Sequence, residues 1–134
     1  MTPQTLRLAT LALLGLGAVS TFALMVHANG SASDLLSDGA GVGFVLWALL
    51  PYAALALGLA RFRSRRARAV GLAGALVVAA CAVAVYVDTL FVHVDAQGAL
   101  AFVFVPVLQL AVTLVVVGLA WAVEARVRGA DAGR

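Results

Sequence analysis

The sequence predicts an all-α integral membrane protein, a four-transmembrane-helix bundle running up-down-up-down with both termini in the cytoplasm, and three observations predict it. The 134 residues are 64% hydrophobic and 11% charged, against about half and a quarter in soluble domains. The apolar residues fall into runs near 8–27, 42–60, 69–88 and 99–123, each close to the ~20 residues that carry a helix across a hydrocarbon core of ~30 Å. All nine cationic side chains are Arg, and they gather beside alternate ends of those runs. Residues 1–134 therefore form one transmembrane domain with short connections.

The first run follows a head whose only charged side chain is Arg7. It exceeds the ~7–15 apolar residues of a signal peptide, so Val26-His27-Ala28, despite its small-x-small look, is read as the end of a retained helix. The connection from His27 to Gly41 collects Asn29-Gly30, Ser31, Ser33, Asp34, Ser37 and Asp38-Gly39, all turn-forming types. Within it Leu35 and Leu36 are expected to touch the membrane interface. The glycines of Gly39-Ala40-Gly41-Val42-Gly43 are expected to permit tight packing at a helix entrance rather than to hold phosphate.

The second run carries Trp47, Pro51 and Tyr52 and stops at Arg61, Arg63, Arg65, Arg66 and Arg68. Short Arg-rich loops stay in the cytoplasm, because moving their charge across a bilayer is costly and opposed by the membrane potential. The third run is aliphatic and small as far as Asp88, and a loop through His93, Asp95 and Gly98 follows. The fourth contains Pro106, Gln109 and Thr113 and ends in Trp121, Glu124, Arg126 and Arg128, with Asp95 placed to cap its start. With the arginine loop inside, every Arg lies inside with Glu124 and Asp131, whereas Asp34, Asp38, Asp88, Asp95 and both His lie outside. Four helices with inward ends satisfy that asymmetry. The absence of Lys and the richness in Ala, Val, Leu and Gly point to a GC-rich bacterial genome, hence to a bacterial cytoplasmic (inner) membrane.

A net charge of +3 would suggest nucleic acid in a soluble protein. Here the arginines flank apolar spans and set orientation, so the expected partners are membrane lipids and other copies of the chain, and no nucleic acid; the sequence names no protein partner. Cys81 is the single cysteine and excludes an internal disulfide, a CxxC pair and a cysteine metal cluster. Neither a nucleophile elbow nor a phosphate-cradling loop occurs, so neither enzyme activity nor a cofactor is expected. On the outer face His27, Asp88 and His93 are metal-ligating types near helix ends, although no HExxH spacing fixes a geometry.

Polar groups inside the spans are the remaining candidates. Gln109 sits roughly 15 Å below the outer end of its helix at about 1.5 Å per residue, with Thr113 one turn further and Pro106 one turn before. Pro106 lacks an N–H and frees a carbonyl near Phe102. Tyr52, beside a kink that Pro51 can make, is a candidate to line a polar cavity with Gln109, although Pro is common in membrane helices and marks a cavity weakly. This stripe either lines a path or makes helix-to-helix hydrogen bonds of ~0.6–2 kcal/mol. Val112 and Val116 are expected on another side of the helix. In the third run Ala67, Gly71, Ala75 and Ala79 recur every four residues and predict a close helix contact, with Val78 off that face. Gly118 and Ala122 repeat the spacing in the fourth.

In size and hydropathy the chain resembles the small multidrug-resistance transporters and the dual-topology fluoride channels. No residue is carried over, because the first run lacks the transporters' membrane carboxylate and the charge bias here is strong. The expected function is a homo-oligomeric channel or small transporter with Gln109 and Thr113 toward a shared interior. Its rival is a non-conducting accessory or effector subunit that binds a partner, and a lipid-modifying enzyme stands third.

Overall fold

The computed structural model describes residues 1–93 and 98–132, and its regular structure is entirely helical. The elements are α1 (Pro3–Asn29), the single turn α2 (Ala32–Leu35), α3 (Gly39–Leu59), α4 (Arg65–Val87), a π-helical turn (Asp88–Val92) and α5 (Gly98–Ala132). Four helical stretches are long and apolar enough to cross a membrane: Pro3–Asn29, Gly39–Leu59, Arg65–Val92 and Leu100–Ala130. The first and third overrun their apolar runs at both ends, the second starts three residues earlier and the fourth continues to Ala130.

The sequence writes the helix starts locally. Thr2, Ser31, Asp38 and Ser64 are extended N-cap residues whose side chains accept from the N–H groups of Thr5, Asp34, Gly41 and Ala67, the preferred cap types in their usual geometry. Pro3 occupies the first turn of α1, where its missing N–H costs nothing. Gly30, with φ +87°, ends α1 in a conformation that strains other residues. The Asp95 cap expected for α5 lies outside the described residues.

Helix α4 packs on both α1 and α5, and α3 bridges α5 and α1. The core forms three layers. Met25, Leu35, Val45, Ala82, Tyr86 and Phe102 make the first; Leu14, Tyr52, Leu55, Val78, Ala79 and Val116 the second; Phe62, Ala67 and Ala120 the third. Leu35 thus enters the core, whereas Leu36 remains exposed. Beside the third layer the Arg68 guanidinium donates to the carbonyls of Phe62 at 3.0 Å and Pro3 at 2.7 Å, tying the start of α1 to the arginine loop.

Close backbone approach makes these contacts possible. A Cβ on Gly17 would lie 2.7 Å from the Tyr52 ring and 2.9 Å from Ala79 Cβ, one on Gly71 would lie 2.9 Å from Leu59, and one on Gly74 would overlap Val116. Ala67, Gly71, Ala75 and Ala79 are all buried, so the four-residue repeat is a packing face. Val78, expected off that face, is 2% exposed, and Val116, expected away from Gln109 and Thr113, is 8% exposed. Both corrections have one cause: residues three apart share a helix face as closely as residues four apart. Gly118 meets nothing within 4 Å, so the second small-residue repeat faces outward at that glycine.

The surface inverts the pattern of a soluble protein. Leu57 and Leu114 are 73% and 75% exposed, while Thr10, Thr21, Gln109, Thr113 and Glu124 are buried. Such a large apolar exterior is stable in contact with lipid tails and is an aggregation liability in water.

Candidate functional site

The buried polar groups make a seam in two parts, with no hydrogen bond between the parts among the described residues. Its first part joins α1 to α3, where the hydroxyls of Thr21 and Tyr52 share a hydrogen bond of 2.8 Å. Tyr52 follows Pro51 in α3, and both are buried. Its ring packs against Gly17, a residue small enough to admit it.

The second part joins α4 to α5. Gln109 Nε2 donates to the Val78 carbonyl at 3.2 Å, bridging the two helices near their middle. Gln109 Oε1, Thr113 Oγ1 and Tyr86 Oη are buried and have no hydrogen-bond partner among the described residues. Tyr86 lies on α4, and its ring stacks on Phe102 of α5 with centroids 4.4 Å apart. Pro106, one turn before Gln109, is fully buried. Near the carbonyl that Pro106 leaves without its helical donor, the Trp47 indole of α3 donates to the Val103 carbonyl at 3.2 Å.

Sequence reasoning selected Tyr52, Gln109 and Thr113, and all three are buried within a single chain. It missed Tyr86 and Thr21. Tyr86 read as part of an aliphatic run, although a tyrosine hydroxyl two positions before the polar end of a span was a usable signal. Thr21 was hidden because a helical Thr commonly satisfies its hydroxyl on its own backbone, as Thr10 does on Leu6 at 2.8 Å.

At the arginine end Glu124, one residue beyond the apolar run 99–123, receives the N–H groups of Arg63 at 3.3 Å and Ser64 at 2.9 Å and pairs with Arg128 at 3.3 Å. Those backbone N–H groups and Arg128 satisfy the buried carboxylate. Glu124 acts as an anionic clasp on the α3–α4 connection.

At the opposite end Asp88 opens the π-helical turn and its carboxylate lies 2.9 Å from His93 Nδ1, with both side chains largely exposed. The His27 ring stacks on Phe91 with centroids 4.9 Å apart. Asp88 and His93 are therefore brought together, while the contact of His27 is aromatic. Among the described residues no group of three or more His, Cys, Asp or Glu could hold a metal ion. Cys81 is exposed on the outer surface of α4.

No protein-family model matches this chain, and comparison with the curated proteins and with the solved structures finds no match to either.

Proposed function

We propose that this chain is a small non-enzymatic membrane protein that passes water or a small polar solute along a seam inside its own four-helix bundle. In this reading it runs up-down-up-down through a bacterial cytoplasmic membrane, with both termini cytoplasmic and lipids around it. The observation that carries the conduit is the set of three buried oxygens, Tyr86 Oη, Gln109 Oε1 and Thr113 Oγ1, without partners among the described residues on two adjacent helices. A buried polar group left unpaired costs about 1–3 kcal/mol, which water or a polar solute recovers by supplying the missing bonds. The orientation rests on the arginines. The Arg68 bond to Pro3 and the Glu124 bonds to Arg63 and Ser64 link α1, the arginine loop and α5, and that cationic end belongs in the cytoplasm.

Gln109 and Thr113 are buried in one copy, so the conduit needs no ring of chains, and a monomeric mass leaves it intact. This departs from the homo-oligomeric pore expected from the sequence. A second reading, a non-conducting accessory subunit, is favoured by the tight contacts at Gly17 and Gly74, which leave little room between helices.

Thiol labelling separates the two. In a Cys81→Ser background, Thr113→Cys and Gln109→Cys are expected to react with a small water-soluble thiol reagent, while Leu108→Cys on the outward face (Leu108 is 66% exposed) stays protected by lipid. Protection at Thr113 and Gln109 together with loss of stability in Gln109→Leu would reduce the seam to a helix contact and leave the accessory reading.

A further inference from the structure

Between the last turns of α3 and the second half of α5 runs an open groove of about 830 Å³ whose lining changes character along its length. One part is apolar, with Leu57 and Leu114 as walls. Its floor includes Gly118, above which 4 Å of space is unoccupied. Trp121 borders it at 67% exposure. The other part is cationic, with Arg61 and Arg128, and it continues into a depression that adds Arg63 and Ser64.

The one carboxylate in the lining, Glu124, already accepts from the N–H groups of Arg63 and Ser64 and from Arg128. Arg61 and Arg63 make no ion pair among the described residues. An apolar trough opening onto unneutralised guanidinium groups, with an exposed indole between them, matches an amphiphile with a hydrocarbon chain and an anionic head. Tryptophan favours the headgroup level of a bilayer, and guanidinium groups bind phosphate through paired N–H donors.

We propose that this groove is a binding site for an anionic phospholipid, one acyl chain lying over Gly118 between Leu57 and Leu114 and the phosphate held by Arg61 and Arg63. The site depends on the membrane setting alone and not on the polar seam. Its failure would show in lipid retention, that of the seam in thiol labelling.

The test places the full chain in nanodiscs of phosphatidylcholine with a minor share of phosphatidylglycerol and counts the lipids retained after detergent extraction by native mass spectrometry. Phosphatidylglycerol is expected to be enriched over its share of the bilayer. Arg61→Gln is expected to lower that enrichment about fivefold, the factor that corresponds to one interfacial arginine. Gly118→Leu, whose Cβ meets nothing within 4 Å and whose side chain would occupy the trough, is expected to lower it as well, and Arg65→Gln outside the groove is expected to leave it unchanged. Equal retention of both lipids would overturn the proposal, as would equal losses from Arg61→Gln and Arg65→Gln, the mark of diffuse charge attraction. A dimer abolished by Gly118→Leu with lipid retention unchanged would also overturn it, and would assign the groove to a second copy of the chain.

Discussion

Glu124 shows how much one side chain is asked to hold. Its carboxylate closes the α3–α4 connection through two backbone N–H groups. Glu124→Gln removes the charge while keeping the shape, and is expected to lower stability by about 1–3 kcal/mol, read from thermal unfolding in detergent. Gly74 carries a steric counterpart: Gly74→Ala would drive a methyl into Val116, a β-branched side chain that cannot swing aside. A loss of about 1–3 kcal/mol is expected, with most of it recovered in the double variant with Val116→Ala, whereas Gly118→Ala should be near neutral.

Within the helices, burial follows a repeat rather than composition. Along α5 Phe102, Pro106, Gln109, Thr113, Val116, Ala120 and Glu124 are buried at steps of three or four residues, the spacing that keeps a helix face turned to its neighbours, and Val105, beside Pro106, widens the same face. The seam thus occupies positions that aliphatic residues fill elsewhere on the same face. Helix α1 meets α3 through Thr21 and Tyr52 by the same logic. A double-mutant cycle with Thr21→Val and Tyr52→Phe is expected to give a coupling of about 0.6–1.7 kcal/mol, the range of interhelical hydrogen bonds in membranes. Zero coupling would mean that the 2.8 Å contact is replaced at no cost in the variants. The third run was read as far as Asp88, and α4 ends at Val87; the π-helical turn that follows was not legible in advance. In that turn the His93 N–H donates to the Asp88 carbonyl at 2.7 Å and the Thr89 hydroxyl donates to the Val85 carbonyl at 2.8 Å, local bonds that no residue type announces.

For the molecule as a whole, topology is the testable property on which the functional reading depends. Reporters fused after Arg68 and at the carboxyl terminus are expected to give cytoplasmic signals, and one inserted between Asp34 and Asp38 an external signal. An external signal after Arg68 would reverse the orientation and move the proposed phospholipid site to the opposite leaflet. The Arg68–Pro3 bond and the Glu124 clasp lie at the same end as these arginines. The arginine end thus fastens the finished bundle, and in the proposed topology the same charge orients insertion.

By itself the sequence determined the four apolar stretches, the arginine asymmetry and the candidate polar stripe, because each of these is a local property of composition or spacing; the helix caps, equally local, were there to be read and were not. Transfer to lipid is decided segment by segment, and an N-cap is decided within one turn. Only the tertiary structure decided that Gln109 reaches the Val78 carbonyl, that Val78 and Val116 face inward, and that Thr21 and Tyr86 join the seam. A polar stripe on an isolated helix does not specify which neighbour it meets. Helix association in lipid lacks a hydrophobic force and is chosen by how closely backbones approach at residues such as Gly17 and Gly74. That choice belongs to pairs of surfaces distant in sequence, and no single run of residues encodes it.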